Sequence, residues 1–569
     1  MARLRFLPAL TSVLLATQAL AATVSVNWDV TWVNASPDGF ERPVIGINGA
    51  WPCPTLEANA GDTIVLTLNN QLGNETTGLH FHGIDQIQTS WMDGPSGVTQ
   101  CPVPPGSSIT YTFVANAPGT YWYHSHNMGQ YPDGLRGPMI VHDPNDPYAG
   151  QYDEEVILTV SDWYHDQSLT LVQNMLEASN TQFLPPFPDG IIVNEGLGSN
   201  VTFVVGKTYR FRIISFAAFA STMLHFDSHT MQVIMTDASY VQKAQAYQLR
   251  IAPAQRYDVL ISCISRDHRN YPFLLSLDIN RDFANDPPQA IVWPHNATGY
   301  LVMDPNGSYP QDVVSLWQPV NDVTMKPLDN AAALGPVAQT ITLNFDFCTD
   351  VNGLPRACFN GQTYIAQKVP TMYSVATTGE NNTNPIVYGD VNPFILATGS
   401  VINVVVNNLD SAIHPFHMHG HQFQVLDRPG SNTGSWSGHN RTFPASPMRR
   451  DTISINPNSY AVLRIQITNP GVFLFHCHIE WHVEMGLTAT FIQSPELLRN
   501  VSFPQDHIDN CIKQSIPYRG NAAGNTQDVL DTSDFNTVPP TTYTGALYAA
   551  ATATAAASRF RPRRVRTHL

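Results

Sequence analysis

Ten of the twenty histidines in this 569-residue chain fall into four short motifs, and these restrict the fold more than any other feature. They are His80-Phe81-His82-Gly83, His124-Ser125-His126, His414-Pro415-Phe416-His417-Met418-His419-Gly420 and His476-Cys477-His478-Ile479-Glu480-Trp481-His482. Alternate side chains of a β-strand share one face, so a His-x-His on a strand sets both rings on the same side. One such pair arises readily by chance. Four in one chain point to metal, because imidazole is the usual ligand for copper and zinc, and a thiolate beside it favours copper.

The surrounding sequence is of the kind that supplies strands. Short β-rich runs such as Thr63–Leu68, Val156–Val160 and Val401–Val406 alternate with turn clusters, and no long segment shows a 3.6-residue period. Frequent Pro and Gly, 43 and 36 residues, suit an all-β chain with many turns. A Pro/Asp-rich break at Asp143–Pro147 and a looser stretch from about Asp304 to Ala338 divide the chain into three β domains. The boundaries expected are a leader at 1–21, domains at 22–145 and 146–305, a linker at 306–338, a third domain at 339–511 and a disordered tail at 512–569. The first and third domains echo each other: each has a strand-like run, a His-x-His-Gly and a later histidine pair, as in a duplicated metal-binding sandwich.

Arg3 and Arg5, the apolar run Phe6–Leu15 and the small-x-small site Ala19-Leu20-Ala21 form an export signal. Asn-x-Ser/Thr sequons at Asn34, Asn74, Asn200, Asn296, Asn306, Asn381, Asn440 and Asn500 agree with a secreted glycoprotein. No later stretch is apolar for the ~20 residues of a spanning helix, so no transmembrane anchor is expected. The formal net charge of -16 speaks against a nucleic-acid partner. Of seven cysteines, six are able to pair, in 15 ways; the pairing expected is Cys348–Cys358, Cys101–Cys511 and Cys53–Cys263.

The seventh, Cys477, sits between two histidines. A blue-copper centre needs two imidazoles and one thiolate in a trigonal plane with a weak axial group. Cys477, His482 five residues on and His414 from an earlier strand meet that requirement. The other histidines are enough for three further coppers, and because His476 and His478 flank Cys477, an electron has a covalent route from thiolate to cluster.

At these motifs the chain resembles the multicopper oxidase family of laccases, ascorbate oxidases and fungal iron-transport ferroxidases, over nearly its whole length. The resemblance implies an all-β architecture of three consecutive cupredoxin-like Greek-key β-sandwich domains holding four copper ions. It places His414, Cys477 and His482 on the type 1 copper and His80 and His417 on type 2. It places His82, His124 and His478 on one type 3 copper, and His126, His419 and His476 on the other. The family's axial position falls on Leu487, which has no donor atom, so the type 1 potential is expected to be high; Met485 reads as core. Asp93, in Trp91-Met92-Asp93-Gly94, and Glu480 match carboxylates beside the cluster. Dioxygen reduction consumes four protons, so Glu480 reads as a proton relay and Asp93 either as a relay or as a turn residue. His142, His165, His225, His229, His421 and His439 read as structural or surface residues.

Gly119–His126, Ser161–Asp166, Pro447–Asp451 and Ile479–His482 resemble the fungal ferroxidase-like branch, which also holds exported phenol-coupling enzymes. Iron oxidation needs carboxylates around the type 1 site. Asp162 matches one such position, Asp278 and Asp282 fall near a second, and the loop from Arg428 to Arg450 has no acid for the third. The expectation is therefore a laccase-type oxidation of a small phenolic substrate by dioxygen, with radical coupling in secondary metabolism included. Asp162 would then accept the phenolic proton as the electron leaves through His482. A soluble ferroxidase acting on ferrous iron stands second, and a copper-storage or electron-carrier protein third.

Overall fold

The computed structural model describes residues 21–263, 269–278, 296–312, 314–438, 442–540 and 546–548. Strands dominate, as the alternating pattern requires. In Thr63–Asn70 every second residue is buried, so Ile64, Leu66 and Leu68 reach the core while the threonines face outward. Burying each such aliphatic side chain is worth roughly 1.5–3 kcal/mol. Val401–Asn408 is buried at every position, as expected of a strand covered on both faces.

The strands form six sheets in three consecutive pairs. Two four-stranded sheets, running from Thr23–Ala35 to Arg136–His142, enclose a core with Ile64, Phe81, Tyr111 and Met139. A six- and a five-stranded sheet follow, between Glu154–Trp163 and Asn296–Val302. Another six- and five-stranded pair lies between Gln339–Thr349 and Thr488–Gln493. In each unit the opening strand pairs in parallel with a later one: Thr23–Ala35 with Thr63–Asn70, Glu154–Trp163 with Thr208–Ser215, and Gln339–Thr349 with Val401–Asn408. These are three cupredoxin-like sandwiches. By strand count the second and third match best, although the histidine motifs belong to the first and third.

The buried cores of the second and third units form one continuous cluster, which also takes in Trp122 and Tyr131 of the first. A knot of buried charge ties all three together. Arg256 of the second unit makes a two-point contact with Asp451 of the third at 2.6 and 2.7 Å, and its Nε donates to the Thr120 carbonyl of the first at 2.9 Å. Beside it, Arg450 donates to Asp237 and to Asp322.

Parts of the chain expected to be loose are strapped down. In the stretch 306–338, Val320 and Leu328 donate backbone N–H groups to Gln248 and Tyr240, and Ala333 donates to Ala445. The leader lies, but for Ala21, outside the described residues, as do 549–569 of the tail. The nearer tail is ordered where disorder was expected. Asn521 and Ala522 are buried, Ala522 donates to the Val387 carbonyl, and Asn536 donates to Ala366. Tyr548 stacks on Trp32 at 4.9 Å. Low apolar content misled the sequence reading, because this segment is held by hydrogen bonds to Ala366, Gln367 and Val387 of the third unit and by contacts with Asn74 and Trp32 of the first. Among the described residues no helix is long and apolar enough to cross a membrane.

Cys348–Cys358 and Cys101–Cys511 are disulfides. The expected Cys53–Cys263 link is absent: Cys53 packs in the first unit with its Sγ 3.4 Å from the Gly134 carbonyl, and Cys263 closes a strand of the second. Cys101–Cys511 spans 410 residues and clamps the helix Gln505–Lys513 to the first unit. A cross-link over so long a loop restricts the unfolded chain strongly, so Cys511→Ser should cost on the order of 4 kcal/mol and lower the calorimetric Tm measurably. An unchanged Tm would show that the helix is held by its side chains alone.

Candidate metal centre

Strand register assembles the histidines. Leu79–His82 pairs with Gly119–Ser125 so that His80 lies opposite His124. The third unit repeats the arrangement with His417 opposite His476 and Phe416 opposite Cys477. The two strand pairs then face each other across the junction of the first and third units. His80 stacks on His419 with ring centroids 4.0 Å apart, and His82 stacks on His417 at 3.8 Å. His126, His419 and His476 lie 5.1–5.2 Å from one another by ring centroid. His82, His124 and His478 lie 5.0–5.9 Å apart. All eight histidines expected around a three-metal cluster are thus in one buried chamber.

The hydrogen bonds orient the rings. His80 Nδ1 donates to the Asp93 carbonyl, His124 Nδ1 to Ser125, His417 Nδ1 to Asp451 and His476 Nδ1 to Cys477, all at 2.8–2.9 Å. Each bond fixes the tautomer and leaves Nε2 bare, pointing inward. His80 Nε2, His82 Nδ1, His124 Nε2, His417 Nε2 and both nitrogens of His478 are buried without a protein partner. His419 Nε2 and His476 Nε2 face each other at 2.9 Å although both Nδ1 atoms already donate, His419 to Asp93 Oδ2 and His476 to Cys477. Two lone pairs so placed call for a cation. Protons are a poor choice: burial and neighbouring histidines hold His82, His124, His126, His417, His419 and His478 well below the usual imidazole range, and burial takes His476 down to about 4. Neutral, convergent imidazoles in a buried chamber fit copper.

The thiolate site lies beside the chamber. Cys477 Sγ is 3.9 Å from His414 Nδ1 and 3.7 Å from His482 Nδ1, with one ring on the strand His414–Met418 and the other on the short helix Glu480–Glu484. Burial pushes the Cys477 thiol up, so it ionises when a cation replaces its proton. Leu487 is fully buried, and its backbone bonds both site residues: its N–H donates to the His482 carbonyl and its carbonyl accepts from Cys477. Met485 is buried too, its carbonyl engaged by Ala357 and Thr363. Phe347 packs edge-on against His482 at 5.3 Å.

The carboxylates sort differently from the sequence reading. Asp93 is buried; its Oδ2 accepts from His419 Nδ1 and its carbonyl from His80 Nδ1, so it orients two rings from different units. Glu480 lines a cavity of about 460 Å³ together with His126, and burial and Glu484 push its carboxyl well up, as suits a group that holds a proton. Asp162 is not at the rim. It is 1% exposed, and its carboxylate accepts three backbone N–H groups, of Ala218, Phe219 and Ala220, at 2.8–2.9 Å. It also accepts from the Tyr164 hydroxyl, which in turn accepts from Trp481 Nε1 at 3.1 Å. Asp162 therefore braces the helix that carries His482 and has no face for a substrate. Asp278 is spent on Arg250 Nε at 2.8 Å, and Asp282 lies outside the described residues.

Two acids escaped the sequence reading. Asp410 Oδ2 accepts from His414 Nε2 at 2.9 Å, with the side chain 22% exposed. Burial raises its carboxyl, but the bond to His414 outweighs that and brings it down to about 2. Asp451 Oδ1 lies 3.2 Å from His82 Nε2. The spacing Asp410-x-x-x-His414 is the only signal for the first, and it is too common to act on; the second lies in the Pro447–Asp451 stretch, where nothing in the sequence marks it as a neighbour of His82.

Family models described as multicopper oxidase match residues 29–146, 154–296 and 364–497. The chain is 47% identical to the iron transport multicopper oxidase fetC of Epichloe festucae, covering 93% of this chain and 86% of that one. It is 43% identical to the iron transport multicopper oxidase FET3 of Gibberella zeae, covering 92% and 85%. Among solved structures it is similar to Fet3p, a multicopper oxidase that functions in iron import, with a TM-score of 0.86 and 34% identity over 91% of this chain and 99% of that one. The laccase of Botrytis aclada matches with a TM-score of 0.75 and 25% identity, over 87% and 93%.

Proposed function

Because this chain belongs to the multicopper oxidase family, whose members hold one type 1, one type 2 and two type 3 copper ions and pass electrons to dioxygen, we propose that its electron donor is ferrous iron. The expectation of laccase-type phenol oxidation is corrected by the relatives. Those covering more than nine-tenths of this chain at 43–47% identity are named iron transport enzymes, and the TM-score to Fet3p exceeds that to the laccase.

In this reading His414, Cys477 and His482 hold the type 1 ion, and the eight chamber histidines hold the other three. Bound copper supplies the one-electron acceptor at the first site and the four-electron reduction of dioxygen to water in the chamber. The protein's part is positional. Asp93 and the Asp451 carbonyl lock ring orientation, burial keeps the imidazoles neutral, and the Cys477 main chain joins the thiolate directly to His476 and His478. Glu480, beside His126, holds a proton for the reduction. The leader expected at residues 1–21 supports export.

The observation that carries the iron reading is the Asp410–His414 contact. A partly exposed, ionised carboxylate offers the oxygen ligand that a hard cation needs, one hydrogen bond from a type 1 ligand. The test is oxygen uptake by the copper-loaded protein with ferrous iron and with 2,6-dimethoxyphenol, for wild type and Asp410→Ala. Iron should give the higher kcat/KM, and the substitution should lower it by about tenfold, the loss of ~1.4 kcal/mol of transition-state stabilisation, while leaving the phenol rate intact. A higher kcat/KM for the phenol, or an Asp410→Ala enzyme that oxidises iron normally, refutes the proposal.

A further inference from the structure

A second cavity, of about 260 Å³, is lined by Asp85, Ile87, Gly420, His421, Gln422 and Asn469 among others, and shares no lining residue with the cavity of Glu480. Asp85 follows His82 by three residues, in a turn that Gly83 enters at φ 90°. A side chain at Gly83 would strike Arg256, Tyr121 and Asp451, so the turn lies directly against the buried charge knot. Asn469 of the third unit pins it by donating to the Asp85 carbonyl at 2.7 Å. The Asp85 carboxyl itself is half-buried at the cavity wall, and among the described residues it forms no ion pair.

The cavity ends at Gln422. Its Nε2 donates to Asp451 Oδ2 at 2.8 Å, and Asp451 Oδ1 in turn lies 3.2 Å from His82 Nε2 and accepts from Thr452 Oγ1 at 2.9 Å. A polar path thus runs from Asp85 through the cavity to a chamber histidine. Reduction of one dioxygen takes up four electrons and four protons and yields two waters. The chamber histidines are neutral and fully committed, so the protons come from outside them.

We propose that Asp85 is a proton-delivery residue for dioxygen reduction, passing solvent protons toward the chamber through the cavity that ends at Gln422, the hydrogen-bond partner of Asp451. In each transfer the carboxyl O–H bond breaks, a new O–H bond forms on the path to product water, and the carboxylate left on Asp85 is reprotonated from solvent. The charges around it favour this. Burial and the negative charge of Asp451 raise the Asp85 carboxyl to about 7. Arg256, which lies against the same turn at Gly83, is already paired with Asp451. Tyr121 is pushed well up and stays neutral, and burial holds His421 down at about 4, so neither competes for the proton. Because the carboxyl is raised, Asp85 carries its proton below pH ~7 and loses it above.

Dithionite-reduced, copper-loaded wild type, Asp85→Asn and Asp85→Glu are mixed with oxygenated buffer from pH 5 to 8.5, so the identity of the electron donor does not enter. Reoxidation by Asp85→Asn should be about tenfold slower below pH 7, converging on wild type above pH ~8, with Asp85→Glu restoring most of the rate. Infrared difference spectra should show a wild-type carboxyl C=O band that titrates near pH 7 and is missing from Asp85→Asn. Equal reoxidation rates at all pH values, a loss independent of pH, or no band titrating near 7 overturns the proposal. A variant that binds less copper is judged on the infrared titration and on Asp85→Glu.

Discussion

Cys477→Ser is expected to remove the blue absorption entirely and to cut steady-state oxygen uptake to below about a thousandth of wild type, because a hydroxyl cannot replace the thiolate of a trigonal copper site. The thiol sits 3.7 and 3.9 Å from two imidazole nitrogens, and its main chain continues directly into His476 and His478. Its loss removes both the electron acceptor and the covalent route to the chamber. The chamber rings are oriented by Asp93, Ser125, Asp451 and, for His476, the Cys477 backbone carbonyl, which Ser keeps, so the variant should fold and retain three of four coppers. Copper content, the visible spectrum and oxygen uptake measured on one sample decide the matter. A blue protein, or uptake above a tenth of wild type, would place the acceptor elsewhere.

The second large effect concerns stability. Asp451→Ala strips the carboxylate from Arg256, which is fully buried and touches all three units. Breaking a buried ion pair by deleting one partner typically costs ~3–5 kcal/mol, since the remaining charge is left without water or counter-ion. The variant should therefore unfold at clearly lower urea concentration than wild type in the copper-free state. It should also bind copper less tightly, because His82 and Gln422 lose a partner. Asp451→Asn, which keeps the shape and a hydrogen-bond acceptor, should lose less. If Asp451→Ala unfolds at the wild-type midpoint, water has entered the knot and the three units are joined by apolar packing alone.

Much of this protein was legible from residues. The strand character and the all-β class follow from alternation, which also sets both rings of a His-x-His on one face; the grouping of eight histidines around one cluster came from the family resemblance. Cys477 was legible as a thiolate ligand because the motif surrounds it with imidazoles. Asp162 was placed beside the type 1 site by its match to a ferroxidase position, and nothing in the sequence reveals three backbone N–H groups from Ala218–Ala220 converging on it. Asp410 and Asp85 were missed for the converse reason, since a lone Asp in a turn carries no signal until its neighbours are known.

By itself, then, the sequence determined which strands form and which atoms are able to bind copper, because both are properties of local alternation and of residue chemistry. Only the tertiary structure decided how the first and third units meet and which acids stand beside which rings. It also decided that the middle unit, without a histidine pair, supplies the arginine that locks the junction. Those outcomes depend on contacts between residues such as His82 and Asp451, 369 positions apart, and on burial that gives a carboxylate either a structural bond or a proton. Neither is encoded in the immediate neighbourhood of either residue.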